Sequence, residues 1–427
     1  MNTLIIFSLL LALMLTGMPI SISLGLTVLS FLFMLTHVPI ESVALKLFTG
    51  IEKFEIMAIP FFIVAGNFLT HGGVARRMIN FASSMVGHWY GGLALSGVVA
   101  CALFAAVSGS SPATVVAIGS ILLPAMVRAG FPKSFGAGVI TTSGALGILI
   151  PPSIVMVMYS VTTNTSVGAL FMAGVIPGIM LAALLGATTW YRAWRFKYPR
   201  LPKASWPERA KAFKDSAWGL FLIVVVMGGI YTGIFTATEA AAMSAAYAFF
   251  VAVFVYKDLT IRDVPKVLLN SANMSAMLLY IITNAVLFSF LMTSEGIPQQ
   301  MAEWMFGQGL GVVTFLLITN VLLLVAGNFM EPSSIVLIMA PILFPVATKL
   351  GIDPVHLGIL MVVNMEVGMC HPPVGLNLYV ASGITKMGIT ELTVAVWPWL
   401  LTMLGFLLLV TYWPGLSLWL PHQLGML

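Results

Sequence analysis

The sequence predicts an all-α polytopic membrane protein, and its composition is the first observation that does so. Of the 427 residues, 60% are hydrophobic and 8% are charged, and the mean hydropathy is +1.05. An ordinary soluble domain carries about a quarter charged residues, so a water-soluble fold could not cover its surface with this set. Soluble enzymes, nucleic-acid-binding proteins and secreted disulfide scaffolds are therefore excluded.

The second observation is the continuity of the apolar segments. They lack the alternating polarity of transmembrane β-strands, so each is predicted to be helical. Two spans are expected within residues 1–35, on either side of Thr16–Pro19. The other apolar segments cover 57–71, 91–126, 134–163, 168–190, 216–233, 236–256, 269–292, 310–347, 355–385 and 393–418.

The third observation is the distribution of positive charge. Residues 191–215 form a basic linker, which the positive-inside rule predicts to be cytoplasmic. Its basic residues are Arg192, Arg195, Lys197, Arg200, Lys203, Arg209, Lys211 and Lys214. If 91–126 and 310–347 are hairpins that enter and leave on one side, 16 of the 19 Lys and Arg residues lie inside. Both termini are then expected outside.

The two halves of the chain share landmarks at a nearly constant spacing. Pro112 and Pro332 are 220 residues apart, and five further pairs are 221 apart. Those pairs are Pro124 and Pro345, Gly130 and Gly351, Gly147 and Gly368, Pro151-Pro152 and Pro372-Pro373, and Pro177 and Pro398. Because the cytoplasmic linker separates the halves, they are expected to have opposite orientations. The sequence thus predicts an inverted repeat, which is frequent in secondary transporters.

Gly, Ser and Pro residues interrupt four apolar segments near their middles. One such interruption could be a helix kink, but four in register predict two helical hairpins, 91–126 and 310–347, and two broken helices, 134–163 and 355–385. Unpaired backbone groups are costly in hydrocarbon unless protein, water or ligand satisfies them. The breaks therefore indicate a ligand site, where helix N-termini favour an anion and free carbonyls favour small cations.

Five motifs make the chain similar to a known family. They are Val107–Thr114 (VSGSSPAT), Gly147–Ser153 (GILIPPS), Ala173–Gly178 (AGVIPG), Gly233–Ala242 (GIFTATEAAA) and His371–Leu378 (HPPVGLNL). In these residues and their order the chain resembles the large membrane subunit of the tripartite ATP-independent periplasmic (TRAP) transporters. The resemblance implies sodium-coupled import of organic acid anions by an elevator mechanism in the bacterial inner membrane. It also implies two partners, a small four-helix membrane subunit and a periplasmic substrate-binding protein.

The last motif is similar in particular to the C4-dicarboxylate branch, which implies succinate, malate and fumarate as substrates. At position 371 this chain has His, whereas many members of the family have Thr just before the Pro-Pro. This difference falls at one of the two cation sites that the resemblance implies. No cofactor is implied beyond Na⁺ as the coupling ion.

The predicted site residues lie at the hairpin tips and breaks. No Lys or Arg falls within a predicted span, so an anion must be held by dipoles, hydroxyls or bound cations. The predicted substrate-binding residues are Ser110, Ser111, Ser153, Ser333, Ser334 and Asn377. The resemblance places one sodium ion between the first hairpin and the first break, and another between the second hairpin and the second break. The predicted sodium-site residues are Ser108, Ser111, Gly144, Gly147, Pro151, Asn328, Glu331, Ser333, Gly368, Cys370 and Pro372.

The predicted domain plan divides each repeat into scaffold and transport elements. Residues 1–56 provide scaffold helices and a first arm, and 57–190 provide transport-domain elements. After the linker 191–215, residues 216–268 provide scaffold helices and a second arm. Residues 269–427 provide the second set of transport-domain elements and the C-terminal helix.

Three acidic residues within predicted spans are functional candidates: Glu239, Glu331 and Glu366. For Glu239 the preferred interpretation is a cap on the following helix. His371 is interpreted either as a proton-linked switch or as a satisfied polar residue near the cytoplasmic mouth.

Two alternative transporters remain open. One is a self-sufficient sodium/dicarboxylate symporter of related fold, and the other is a TRAP permease for another organic acid such as sialic acid. A membrane-embedded enzyme is disfavoured because neither H-E-x-x-H nor G-x-S-x-G occurs. ATP is not expected to power the chain, since it has no G-x-x-x-x-G-K-[ST] loop.

Overall fold

The computed structural model describes residues 2–36, 39–309, 311–328, 330–372 and 375–427, and within these ranges all regular structure is helical. The first half contains α1 (Asn2–Leu15), α2 (Ile20–Leu35), α3 (Ile40–Thr49), α4 (Ala58–His71), α5 (Val74–Val86), α6 (Gly92–Ser108), α7 (Ser111–Arg128), α8 (Lys133–Gly144), α9 (Ile154–Thr163) and α10 (Val167–Arg195). The second half contains α11 (Trp206–Tyr231), α12 (Ala237–Phe250), α13 (Val264–Ser294), α14 (Ile297–Gly307), α15 (Val312–Gly327), α16 (Pro332–Lys349), α17 (Pro354–Cys370), α18 (Leu376–Thr385), α19 (Ile389–Tyr412) and α20 (Gly415–Gln423). Short 3₁₀ turns cover Phe54–Met57 and Ala145–Ile148, and a π-helical turn covers Val251–Val255.

Eight helical segments of the described chain are long and apolar enough to cross a membrane. They are Phe54–His71, Ser111–Arg128, Val167–Arg195, Trp206–Tyr231, Ala237–Val255, Val264–Ser294, Pro332–Lys349 and Ile389–Tyr412. The predicted class, an all-α polytopic membrane protein, is confirmed.

The internal repeat is visible in the helix bounds. Helices α7 and α16 both have 18 residues, and they begin 221 residues apart. Helices α8 and α17 begin at the same spacing, at Lys133 and Pro354. Equivalent landmarks in the two halves therefore fall at equivalent places in the helices.

The central helices are also equivalent in the two halves. Every residue from Val355 to Cys370 in α17 is buried, as is every residue from Phe135 to Gly144 in α8. A helix that is apolar on all sides is stable in a protein when neighbours surround it. Helix α17 packs against α10, α15 and α19, and α8 packs against α6, α7 and α19.

Both central helices end where a longer helical segment is interrupted, at the two predicted breaks. Helix α8 ends at Gly144 and is followed by a 3₁₀ turn, and α9 begins at Ile154. Helix α17 ends at Cys370, and α18 begins at Leu376. Pro373 of the second Pro-Pro motif lies outside the described residues, as do positions 310 and 329 of the second predicted hairpin.

Several predicted domain borders fall inside continuous helices. The borders of the linker 191–215 lie within α10 and α11, and only 196–205 are not helical. The border between 268 and 269 lies within α13, and that between 56 and 57 lies within a 3₁₀ turn. Charged residues mark where a helix leaves hydrocarbon, whereas the helix itself continues until capping and backbone signals stop it.

Candidate functional site

A cavity of about 340 Å³ lies where the tips of the two predicted hairpins approach each other. Helix α7 begins at Ser111 and α16 begins at Pro332, and both residues line this cavity. The positive ends of two helix dipoles therefore meet at one small space, an arrangement that favours an anion.

The polar lining of this tip cavity is sparse. Three serines, Ser110, Ser111 and Ser333, line it together with Thr70 and Glu331. None of its described lining residues is Lys or Arg. Glu331 occupies the N-cap position of α16, makes no side-chain capping hydrogen bond there and is half-buried.

Ser111 makes side-chain hydrogen bonds to two other elements of the site. Its buried hydroxyl accepts a hydrogen bond from Asn377 Nδ2 at 2.7 Å and donates one to the Gly144 carbonyl at 3.0 Å. Ser111 thus joins the first hairpin tip, the first helix break and the helix that follows the second break.

A second set of contacts extends this junction. Asn377 Nδ2 also lies 3.4 Å from the Thr141 carbonyl and 3.8 Å from Cys370 Sγ. The Cys370 thiol donates to the same Thr141 carbonyl at 3.5 Å. The second break is therefore tied to α8 by buried polar contacts.

Glycines allow the backbones to approach closely at both breaks. A Cβ atom at Gly147 would lie 2.6 Å from the carbonyl carbon and oxygen of Ser110, so no side chain fits there. Gly327 and Gly368 face each other in the second half, and a Cβ on either would lie 3.0 Å from the other's Cα. The second hairpin and the second break thus meet at their glycines.

Other predicted site residues have local partners. Ser108 Oγ lies 3.0 Å from Thr114 Oγ1 within the first hairpin. Ser153 is the N-cap of α9 and accepts a hydrogen bond from the Met156 amide. Asn328 Oδ1 lies 3.1 Å from His371 Nδ1. Polar side chains in such local hydrogen bonds provide partners for neighbouring backbone and side-chain groups.

Four of the fifteen predicted site residues line the tip cavity, and the other eleven, among them the following three, do not. Pro151 lines a separate apolar cavity of about 700 Å³ between α6, α10 and α11. Ser334 is buried in α16, one position beyond Ser333. Pro372 is half-buried at the second break.

The structure adds residues to the site that the sequence did not indicate. Thr70 of α4 and Met274, Met277 and Leu278 of α13 line the tip cavity. The sequence of an apolar helix does not distinguish a methionine that faces lipid from one that faces the core or a ligand. No local signal could therefore have selected them.

Glu366 is the one fully buried carboxyl group among the described residues. Its carboxyl group makes no side-chain hydrogen bond in that part of the chain and lies against the backbone of Leu149, at the first break. It lies one helical turn before Cys370, on the central helix that leads to the second break.

The eight candidate spans, the repeated helices and the cavity at two helix N-termini define a polytopic membrane transporter. A sequence model of the family described as "Tripartite ATP-independent periplasmic transporter, DctM component" matches residues 7–416. The chain belongs to this family, and the resemblance carried by the five motifs is confirmed.

Individual relatives agree with the family. The C4-dicarboxylate TRAP transporter large permease protein DctM of Rhodobacter capsulatus is 77% identical over 100% of both chains. The protein of the same name from Pseudomonas aeruginosa is 53% identical over 95% of each chain. The YdaH transporter of Alcanivorax borkumensis, a solved structure, has a similar fold, with a TM-score of 0.63 at 16% identity over 91% of this chain and 89% of that one.

Proposed function

We propose that this chain is the large membrane subunit of a TRAP transporter that imports C4-dicarboxylates such as succinate, malate and fumarate. The observation that carries this proposal is the 77% identity, over the full length, to a relative named as a C4-dicarboxylate permease. The chain acts as a permease and not as an enzyme, in keeping with its family.

The substrate is proposed to bind in the tip cavity. A volume of about 340 Å³ leaves room for a four-carbon diacid and for the ions that accompany it. One carboxylate would face the N-terminus of α7 at Ser110 and Ser111, and the other the N-terminus of α16 at Ser333. Amide and hydroxyl donors at a helix start suit a carboxylate without a basic side chain.

Sodium ions are proposed to complete this site. A dianion beside the Glu331 carboxylate is repelled unless cations lie between or next to them. Oxygen atoms are the ligands of hard cations, and the Ser111 hydroxyl and Gly144 carbonyl already lie within 3.0 Å of each other. The second ion would lie near Asn328, Ser333 and Gly368. Charged species of opposite sign then cross the membrane together, which couples transport to the sodium gradient.

Movement is proposed to follow an elevator mechanism. The pairs α6–α7 and α15–α16 would be re-entrant hairpins, and with the broken helices α8–α9 and α17–α18 they would form one moving body. The bonds among Ser111, Gly144 and Asn377 support this grouping, because they join elements of both halves. The oppositely oriented repeats would exchange conformations to alternate access.

The proposal includes two partners and a location. The family description names a tripartite periplasmic system, so we expect a small four-helix membrane subunit and a periplasmic substrate-binding protein. The assembly would lie in the bacterial inner membrane.

Uptake of labelled succinate into proteoliposomes tests the proposal. The chain and its small subunit are reconstituted, and uptake is measured with and without an inward Na⁺ gradient and with and without the binding protein. We expect uptake to require both the Na⁺ gradient and the binding protein, and to be the same with and without ATP. Equal uptake after choline replaces Na⁺ would overturn sodium coupling. Uptake without the binding protein would instead indicate a self-sufficient symporter, and inhibition by sialic acid but not by fumarate would indicate another branch.

A further inference from the structure

A large polar cleft lies away from the hairpin tips, between α4, α5, α11 and the residues that follow the π-helical turn. Its volume is about 960 Å³. Four cationic side chains line it, two from α5 and two from the start of α11: Arg76, Arg77, Lys211 and Lys214. Nothing in the proposed transport of dicarboxylates uses this cleft.

One of these cations is already paired. Arg77 forms an ion pair with Asp258, donates to the Gly73 carbonyl at 3.0 Å, and lies 3.8 Å from the centre of the Tyr256 ring. Tyr256 is held in turn by its hydroxyl, which donates to the Asp215 carbonyl at 2.8 Å. These contacts join α5 to α11 and form the floor of the cleft.

The other three cations are free. Within the described ranges, Arg76, Lys211 and Lys214 make no ion pair, and all three are exposed. Of the acidic residues in the lining, Asp258 is paired with Arg77 and Glu208 accepts hydrogen bonds in the capping box of α11. Asp215 is the remaining carboxylate. Four cations thus face three carboxylates, so the lining has a net charge of +1, and three of its cations make no ion pair with any described residue.

The cleft lies at the ends of candidate membrane spans. The span Phe54–His71 ends at one of its lining residues, and the span Ala237–Val255 ends at another. Trp218 lines the cleft and is 46% exposed, and Phe221, one turn further along α11, is 52% exposed. An apolar, lipid-accessible face thus adjoins the cationic pocket, as an interfacial position requires.

We propose that this cleft is a binding site for an anionic phospholipid, such as phosphatidylglycerol. The phosphate would lie among Arg76, Lys211 and Lys214, and an acyl chain would follow Trp218 and Phe221. Basic residues at a membrane surface attract anionic headgroups. Free phosphate and an acidic protein segment are also negatively charged, but they lack an acyl chain that could cover the exposed aromatic face. A cationic pocket beside an exposed aromatic face therefore favours a lipid.

A lipid in this cleft would act on transport indirectly. Helix α5 belongs to the residues predicted to move, and α11 contributes to the predicted scaffold. A headgroup bound to both would bridge them on one side of the membrane. The dependence of transport rate on lipid composition is the expected consequence.

Lipid titration of the purified complex of the chain with its small subunit tests the proposal. Thermal unfolding is followed while phosphatidylglycerol, phosphatidylcholine or inorganic phosphate is added. The variant carries Arg76→Gln, Lys211→Gln and Lys214→Gln. The matched control removes three exposed cations elsewhere: Lys133→Gln, Arg195→Gln and Lys203→Gln.

We expect phosphatidylglycerol to raise the unfolding temperature of the wild type and of the control, and phosphatidylcholine and inorganic phosphate to do so far less. The cleft variant should require at least about tenfold more phosphatidylglycerol for the same effect. Equal effects of both lipids on the wild type, or equal titrations of the two variants, would overturn the proposal. So would full stabilisation by inorganic phosphate. Loss of the small subunit from the cleft variant, with unchanged lipid titration, would show that the cleft is a protein interface.

Discussion

Asn377 donates a hydrogen bond to the hydroxyl of Ser111, over a distance of 2.7 Å between residues 266 positions apart in sequence. Ser111 begins α7 at the first hairpin tip, and Asn377 lies in the first turn of α18, after the second break. Both side chains are buried. The contact therefore ties the start of α7 in one repeat to the helix that follows the break in the other.

A double-mutant cycle measures this tie. Ser111→Ala and Asn377→Ala should each destabilise the protein by about 1–3 kcal/mol, because each leaves a buried polar partner unpaired. The free energy of unfolding lost by the double variant should be smaller than the sum of the two single losses, by roughly 0.5 kcal/mol or more. Thermal unfolding of the purified protein provides the measurement. Ser120→Ala, at an exposed serine on the same helix, is the control, and strictly additive losses would contradict the pairing.

Gly147→Ala should abolish transport. The added methyl group would lie 2.6 Å from the Ser110 backbone, which cannot move away as a side chain can. The hairpin tip and the first break would have to separate. Gly186→Ala is the matched control, because nothing lies within 4 Å of its Cβ position in α10; it should be neutral or stabilise by up to about 1 kcal/mol. Normal succinate uptake by Gly147→Ala would show that the close approach is not needed.

Glu239→Gln should leave sodium dependence unchanged. The structure confirms that Glu239 is a helix cap: its carboxylate accepts from the Thr236 amide at 2.8 Å and from the Thr236 hydroxyl at 2.9 Å. Glutamine keeps an acceptor oxygen at that position, whereas Glu239→Ala removes it and should lower the unfolding temperature slightly. A shift of the apparent Na⁺ affinity in Glu239→Gln would assign this acid a role in transport.

Lys53→Met should loosen the end of α9. The Lys53 ammonium donates to the Val161 carbonyl and, at 2.6 Å, to Asn164 Oδ1. Partial burial lowers the pKa of Lys53, against a smaller opposing effect of Glu55. Methionine keeps the length of the side chain but donates no hydrogen bond, so faster amide hydrogen exchange is expected in 164–167. Lys46→Met, at an exposed lysine on α3, should leave exchange there unchanged.

Cross-linking tests the elevator. Leu103 of α6 and Met227 of α11 line the same apolar cavity, one from a predicted moving hairpin and one from the predicted scaffold. A disulfide or short linker between cysteines at these positions should stop uptake in a background with Cys101→Ala and Cys370→Ala that itself transports. Cysteines at Gly97 and Leu122, which face each other within the first hairpin, should leave uptake intact when linked. Unchanged uptake with the first pair linked would contradict the elevator.

The local signals in the sequence were sufficient where the physics is local. Glu239 is predicted to cap the helix that follows it, and the structure places it in a capping box with Thr236. The landmark spacing predicts equivalent helices, and α7 and α16 begin 221 residues apart. Helix borders were less predictable, because α10 and α11 extend into the basic segment 191–215 that was expected to link the two halves.

The sequence by itself determined the membrane class, the helical repeat and the breaks, since hydropathy, Gly and Pro act through the chain's own backbone and its solvent. The tertiary structure alone decided which apolar surfaces are covered by protein: α17 is buried on every side, whereas α11 exposes Trp218 and Phe221. It also brought Met274 and Met277 to the tip cavity and Asn377 to Ser111. In a membrane protein lipid and protein interior are equally apolar, so composition cannot distinguish the faces of a helix, and only packing assigns each face its neighbour.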